Sequence, residues 1–275
     1  MERVTADDGT PLVLERHGDP VPGRPPVVLL TPALADRTDL VALAEALAPS
    51  GLTVGYDRRG RGGSGDNADA LDGAVARELA DLRAVIAAVG GPVVLLGHSS
   101  GAILGAVAAA AGLPVAAVVM FEPPFLPHPG ARGLPADLPQ RLWDLATEGR
   151  GDEAVALFQT GAVGLPAEMV AQFRQSPGWG RMTAMARSLA YDTAVTSEHE
   201  DPADLAAGLT VPVLVLAGRG TWPELAESAR RAAEALGAEH RTVEGDHHAL
   251  VPAAVAPVVT DFVDRIVAGQ LPQRP

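Results

Sequence analysis

Apolar residues in this chain follow two alternating rhythms. Unbroken runs at about 26–31, 52–56, 92–96, 115–121 and 211–218 have the length of strands covered on both faces. Between them, apolar positions recur three and four residues apart. Over about 38–48 this places Leu40, Leu43, Ala44 and Leu47 on one face of a helix. Further helices are predicted over about 72–89, 102–111, 223–236 and 252–267, and a last strand over 239–243. Segments 2–6 and 12–16 alternate around Asp8-Gly9, the signal of an antiparallel hairpin. Alternating strand and helix predicts an α/β domain built on a mostly parallel sheet. From about 126 to 200 the alternation stops. Proline-rich turns there separate helical stretches at about 139–147, 152–159, 166–175 and 180–190. Most aromatic and methionine residues of that segment suit the core of a small helical layer. Some are expected to face a pocket at the sheet edge.

One stretch joins this pattern to chemistry. The run Val93-Val94-Leu95-Leu96 enters Gly97-His98-Ser99-Ser100-Gly101, and an alanine-rich helix follows at once. Strand, Gly-x-Ser-x-Gly and helix in that order are the context of a nucleophile elbow. Ser99 would occupy the tip of the turn. A Cβ at position 97 or 101 would crowd so tight a bend. The free N–H groups of the helix start suit an oxyanion.

A second glycine-rich stretch, Asp57-Arg58-Arg59-Gly60-Arg61-Gly62-Gly63-Ser64-Gly65, invites a phosphate-loop reading. It lacks Gly-Lys-Ser/Thr and does not open promptly into a helix. A structural turn tied down by Asp57 and the arginines is the better expectation.

Composition narrows the function classes. A chain of 275 residues, 47% hydrophobic and 20% charged, can bury a full globular core. Its net charge of −13 argues against nucleic acid and acidic membrane surfaces as partners. It has no cysteine, which excludes disulfides, thiol nucleophiles and thiolate metal sites. It has no lysine, which excludes Schiff-base chemistry. No apolar run is long enough to span a bilayer, and the first residues lack a signal-peptide pattern. A cytoplasmic location is therefore expected. No His, Asp and Glu cluster has clear metal-ligand spacing, and no cofactor is implied.

With the elbow, the Tyr56-Asp57-Arg58-Arg59-Gly60-Arg61-Gly62 stretch, the loop after 27–31 and the late Gly245-Asp246-His247-His248, the chain resembles the α/β-hydrolase superfamily over nearly its whole length. The resemblance implies an eight-stranded, mostly parallel sheet flanked by helices, forming a single domain over 1–275 with a helical cap at about 126–200. It also implies a nucleophile, an acid and a histidine, in that chain order. Ser99 is then the nucleophile. His247 and His248 both lie in the loop that supplies the base, and the Gly-x-x-His pattern counted from Gly245 favours His248. Many relatives carry the acid after the strand that ends here at Gly218, but no Asp follows it. Glu122, after the preceding strand, is the favoured acid and Glu224 the alternative. The oxyanion hole would use the N–H of Ser100 and that of Ala33, since Thr31-Pro32 stands where relatives often have His-Gly. Leu34, Phe125, Trp143, Trp179 and Met182 are the expected lining of an apolar substrate pocket.

The leading expectation is a serine hydrolase acting through an acyl-enzyme on an ester, lactone or thioester of a small to medium apolar molecule. Two rivals stand beside it. One is a biosynthetic member that reuses the pocket for cyclisation or carbon–carbon chemistry. The other is a silent ligand-binding member.

Overall fold

The computed structural model describes residues 1–128 and 130–271. The sequence also predicts a frayed tail over 271–275, of which residues 272–275 lie outside the described residues. Eight strands form one sheet: β1 (Glu2–Thr5), β2 (Pro11–His17), β3 (Val27–Leu30), β4 (Thr53–Tyr56), β5 (Val93–His98), β6 (Val115–Phe121), β7 (Val213–Gly220) and β8 (Glu239–Asp246). Their spatial order is β1-β2-β4-β3-β5-β6-β7-β8. β2 runs antiparallel to both β1 and β4, and the remaining pairs are parallel.

Helices cover both faces, as the unbroken apolar runs of the central strands require. On one face lie α1 (Val41–Leu47) and α11 (Pro252–Val267), which bury Leu43, Leu47, Val259 and Phe262 against Leu29, Leu96 and Val119. On the other lie α2 (Ala74–Val89), α3 (Ser100–Ala110) and α10 (Pro223–Ala235). The chain order reverses between β3 and β5. The carboxyl ends of the strands at such a reversal are the usual ligand position in an open α/β sheet.

Between β6 and β7 the chain is helical: α4 (Leu138–Thr147), α5 (Gly151–Gly161), α6 (Ala167–Phe173), α7 (Trp179–Ala184), α8 (Ser188–Glu198) and α9 (Ala203–Ala206). The single helix expected over 180–190 is in fact two, α7 and α8. α8 runs on to Glu198 because its buried side faces α2, α3 and α4 rather than solvent. Packing on these neighbours outweighs the lower helix propensity of the β-branched Thr193, Val195 and Thr196. β8 also extends past the expected Val243 to Asp246 and so carries the histidine loop forward. Among the described residues, no helix is long and apolar enough to cross a membrane.

The glycine-rich stretch after β4 is a buried anchor. Asp57 accepts from the Arg37 and Gly63 amides at 2.8 Å each. Arg58, Arg59 and Arg61 are at most 1% exposed and point inward, onto Glu78, Asp81 and Asp192. Buried guanidinium groups require such partners. None of these three arginines is left facing solvent to receive a phosphate.

Candidate active site

The carboxyl ends of β5, β6, β7 and β8 are neighbours, and each carries one part of the site. At the end of β5 the chain turns sharply into α3. Ser99 sits in the turn with φ 55° and ψ −123°, a conformation rarely adopted by residues other than glycine. Its N–H bonds the Phe121 carbonyl at 2.9 Å, and its carbonyl accepts from Ala102 at 2.9 Å. The bend closes only because two side chains are missing. A Cβ on Gly97 would lie 2.2 Å from the Gly101 carbonyl oxygen, and one on Gly101 would lie 2.5 Å from that of Leu30. Both are far inside van der Waals contact.

β6 ends at Phe121, and Glu122 follows with φ 47°. Its backbone N–H still bonds Leu216 of β7 at 2.9 Å, so the residue is pinned to the sheet. The side chain is wholly buried. Its Oε1 accepts from the Gly218 N–H at 2.7 Å, and its Oε2 bonds Nδ1 of His248. Gly218 makes this meeting possible: a Cβ there would press on the Gly245 carbonyl at 2.6 Å and on Oε1 at 3.0 Å. The place where many relatives carry an acid is thus filled by backbone, and the carboxylate arrives from the next strand.

The loop after β8 turns through His247 and His248, both left-handed, with φ 51° and 65°. His247 is exposed, and only its backbone is engaged, through a bond to the Gly220 carbonyl at 3.2 Å. His248 is half-buried, and its Nδ1–H donates to the Glu122 carboxylate. That bond leaves Nε2 as the imidazole nitrogen free to take a proton. Glu224, the alternative acid, is exposed in the first turn of α10, where a carboxylate suits the helix dipole.

Two rings enclose His248. His98, the neighbour of Ser99, meets it edge-on with centroids 4.6 Å apart. Trp222 stacks on it at 6.0 Å and an interplanar angle of 24°. Burial, reinforced by the adjacent His248, holds the His98 imidazole well below the ordinary histidine range, so it stays neutral.

On the β3 side, Thr31 is buried, and Pro32, Ala33 and Leu34 are half-buried in the loop. Leu34 has φ 59°. Among the residues expected to line a pocket, Phe125 and Trp143 are buried in the core cluster shared with the helical layer. Trp143 stands edge-on to Tyr191 and beneath the Arg187 guanidinium. Trp179 is held within that layer by a 2.7 Å bond from its indole N–H to Asp152. Leu34 and Met182 pack on the same cluster while partly exposed. Among the described residues, no group of three or more His, Asp or Glu side chains is disposed to hold a metal ion.

The sequence matches the alpha/beta hydrolase family over residues 17–260. The chain belongs to that family. Among solved structures, this alpha/beta hydrolase is similar to one from Sphaerobacter thermophilus. The two share 40% identity over 95% of this chain and 99% of that one, with a TM-score of 0.83. It is similar in fold to an enol-lactonase from Burkholderia xenovorans, with 19% identity over 97% of this chain and 100% of that one, TM-score 0.68. A thermophilic esterase from Thermogutta terrifontis gives 21% identity over 98% of each chain, TM-score 0.67. Curated proteins give no match.

Two residues near this alpha/beta hydrolase's candidate site, Trp222 and Asp192, were not singled out by the sequence, while His98 in the elbow was expected only to pack or bond the loop. Trp222 carried a positional hint, since it stands two residues beyond the end of β7. The role of His98 as a wall for His248 followed from its place in the elbow but needed the histidine loop in view. Asp192, which accepts from Ser100 Oγ at 2.7 Å, had no signal at all. It is one acidic residue in a helical segment, 92 positions from its partner.

Proposed function

We propose that this alpha/beta hydrolase cleaves an ester, lactone or thioester of a small to medium apolar acyl compound, with Ser99 as nucleophile. The observation that carries the reading is the buried Glu122 carboxylate bonded to His248 Nδ1 beside the strained Ser99 turn. A serine hydroxyl needs a base, and the base needs a group that fixes its tautomer. In this mechanism Ser99 Oγ attacks the carbonyl carbon while its proton passes to His248 Nε2. The Ala33 and Ser100 N–H groups hold the oxyanion. The tetrahedral species collapses, and His248 returns the proton to the departing alcohol or thiol. Water, deprotonated by His248, then releases the acid and restores Ser99. Glu122 stabilises the imidazolium at both stages without changing its own protonation.

The helical segment between β6 and β7 serves as a cap, and its apolar residues with Leu34 favour an uncharged acyl group. An enol-lactonase and an esterase of the same fold support this substrate class. The test is intact mass after exposure to a fluorophosphonate. One adduct on the native chain, absent from Ser99→Ala, is the expected result. A folded native chain that stays unlabelled and turns over no activated ester overturns the reading.

A further inference from the structure

The loop that carries Ala33 is gripped from outside. Arg61 Nη1 donates to the Pro32 carbonyl and, at 3.2 Å, to the Ala35 carbonyl, so it brackets Ala33 and Leu34. Arg58 Nη1 donates to the Thr31 carbonyl at 3.0 Å. Within the bracket Leu34 holds its left-handed backbone, which persists only where surrounding contacts over-determine it. Both arginines converge on Asp192 of α8. Arg61 Nη2 reaches its two oxygens at 2.7 and 2.6 Å, and Arg58 Nη1 reaches Oδ1 at 2.9 Å. The third donor to this carboxylate, making its fourth bond, is the hydroxyl of Ser100, at 2.7 Å. Asp192, Arg58 and Arg61 are at most 1% exposed, and Ser100 is 3% exposed.

Oδ1 alone takes three of these four bonds, from Arg58, Arg61 and Ser100, and Oδ2 takes the fourth, from Arg61. Stability alone does not explain the arrangement, because well-packed apolar side chains serve a protein interior equally well. What the Arg61–Asp192 pair supplies is direction, because the planar guanidinium fixes Nη2 on both carboxylate oxygens and Nη1 on the loop carbonyls. One end of it sets the loop that bears the Ala33 amide. The other sets the residue whose own N–H is the second donor.

We propose that Asp192 and Arg61 are positioning residues for the oxyanion hole, fixing the Ala33 and Ser100 N–H groups relative to each other. The proposal rests on the acyl-transfer reading above. Because Asp192 belongs to the helical segment, the hole is complete only while α8 is docked on the sheet domain.

Fluorophosphonate titration of the native chain comes first. If Ser99 is not labelled, the hydrolase reading fails before any variant is compared, and this proposal falls with it. With Ser99 labelled, kcat per titrated site on p-nitrophenyl acetate is measured for Ser100→Ala, Asp192→Asn and Arg61→Lys, together with inhibition by phenylboronic acid. The boronate adduct on Ser99 places an oxygen in the hole. A whole donor is worth about 10²–10³ in kcat, so loosening both should cost about 30- to 100-fold in Asp192→Asn and about 5-fold in Ser100→Ala. Arg61→Lys should behave like Asp192→Asn, since an ammonium cannot reproduce the planar fork. In each variant KM stays within about twofold, boronate affinity falls by the factor lost from kcat, and the pH profile keeps its shape. Folded Ser100→Ala and Asp192→Asn with native kcat per site overturn the proposal. So does a loss confined to melting temperature or KM with boronate affinity unchanged. If Asp192→Asn does not fold, Ser100→Ala decides, because it removes one hydroxyl and leaves the ion pair in place.

Discussion

Glu122→Gln isolates the acid with almost no change of shape. The glutamine can keep its carbonyl oxygen on the Gly218 N–H, the bond that Oε1 makes at 2.7 Å. Its amide NH2 then faces His248 Nδ1–H, donor against donor. The imidazole escapes by moving its proton to Nε2 and accepting at Nδ1. That tautomer has no lone pair to take the Ser99 proton. A wrong tautomer in a serine triad costs about 10⁴ in kcat, or about 5 kcal/mol of barrier. Folding should hardly suffer, because the buried Gly218 N–H stays satisfied and no cavity opens. Glu122→Ala makes the contrast. It frees the histidine to choose its tautomer but strands the Gly218 N–H, so it should lose more stability and no more activity than Glu122→Gln. The assay is ester hydrolysis per site, with near-UV circular dichroism and thermal melting on the same samples. Folded Glu122→Gln within tenfold of native kcat/KM would refute the tautomer argument. Equal losses in Glu224→Gln would refute the choice of acid.

Other consequences are as direct. His98 is held neutral in the folded state below its ordinary value of 6.5, so the unfolded chain binds an extra proton as pH falls through that value. Stability should then drop by up to about 1.4 kcal/mol per pH unit below pH 6.5, and His98→Gln should remove that contribution. Parallel stability curves for the two proteins between pH 7 and 5 would contradict it. Trp222 is 36% exposed and stacks on His248, so Trp222→Ala should leave stability within about 0.5 kcal/mol. It should still lower kcat/KM several-fold by loosening the ring, which steady-state kinetics will read. Gly97→Ala forces a Cβ to 2.2 Å from backbone and should cost about 3 kcal/mol or more, or prevent folding, as denaturant melts will record.

The fold was legible because its signals are local. Runs such as Val115–Phe121, strand-length and rich in valine, read as strands covered on both faces, and Gly97-His98-Ser99-Ser100-Gly101 between a strand and a helix is a turn whose Gly97 answers to contacts inside the turn itself. The turn at Ser99 could therefore be read from the chain, while the paired histidines were singled out by the resemblance to the family's Gly-x-x-His pattern. The ranking of Glu122 over Glu224 came from where each stands relative to a strand end, not from any property of the carboxylates. What the sequence could not contain was contact between distant segments. The split of α7 from α8, the reach of α8 to Glu198, and the four bonds on Asp192 all depend on which helix lies against which. An acidic residue in a polar-looking helix reads as solvated until tertiary packing buries it with two arginines and Ser100. Periodicity along the chain decides the elements and the turn that holds the serine. Only the closing of the sheet, which brings the ends of β5, β6, β7 and β8 side by side, decides that Glu122 meets His248.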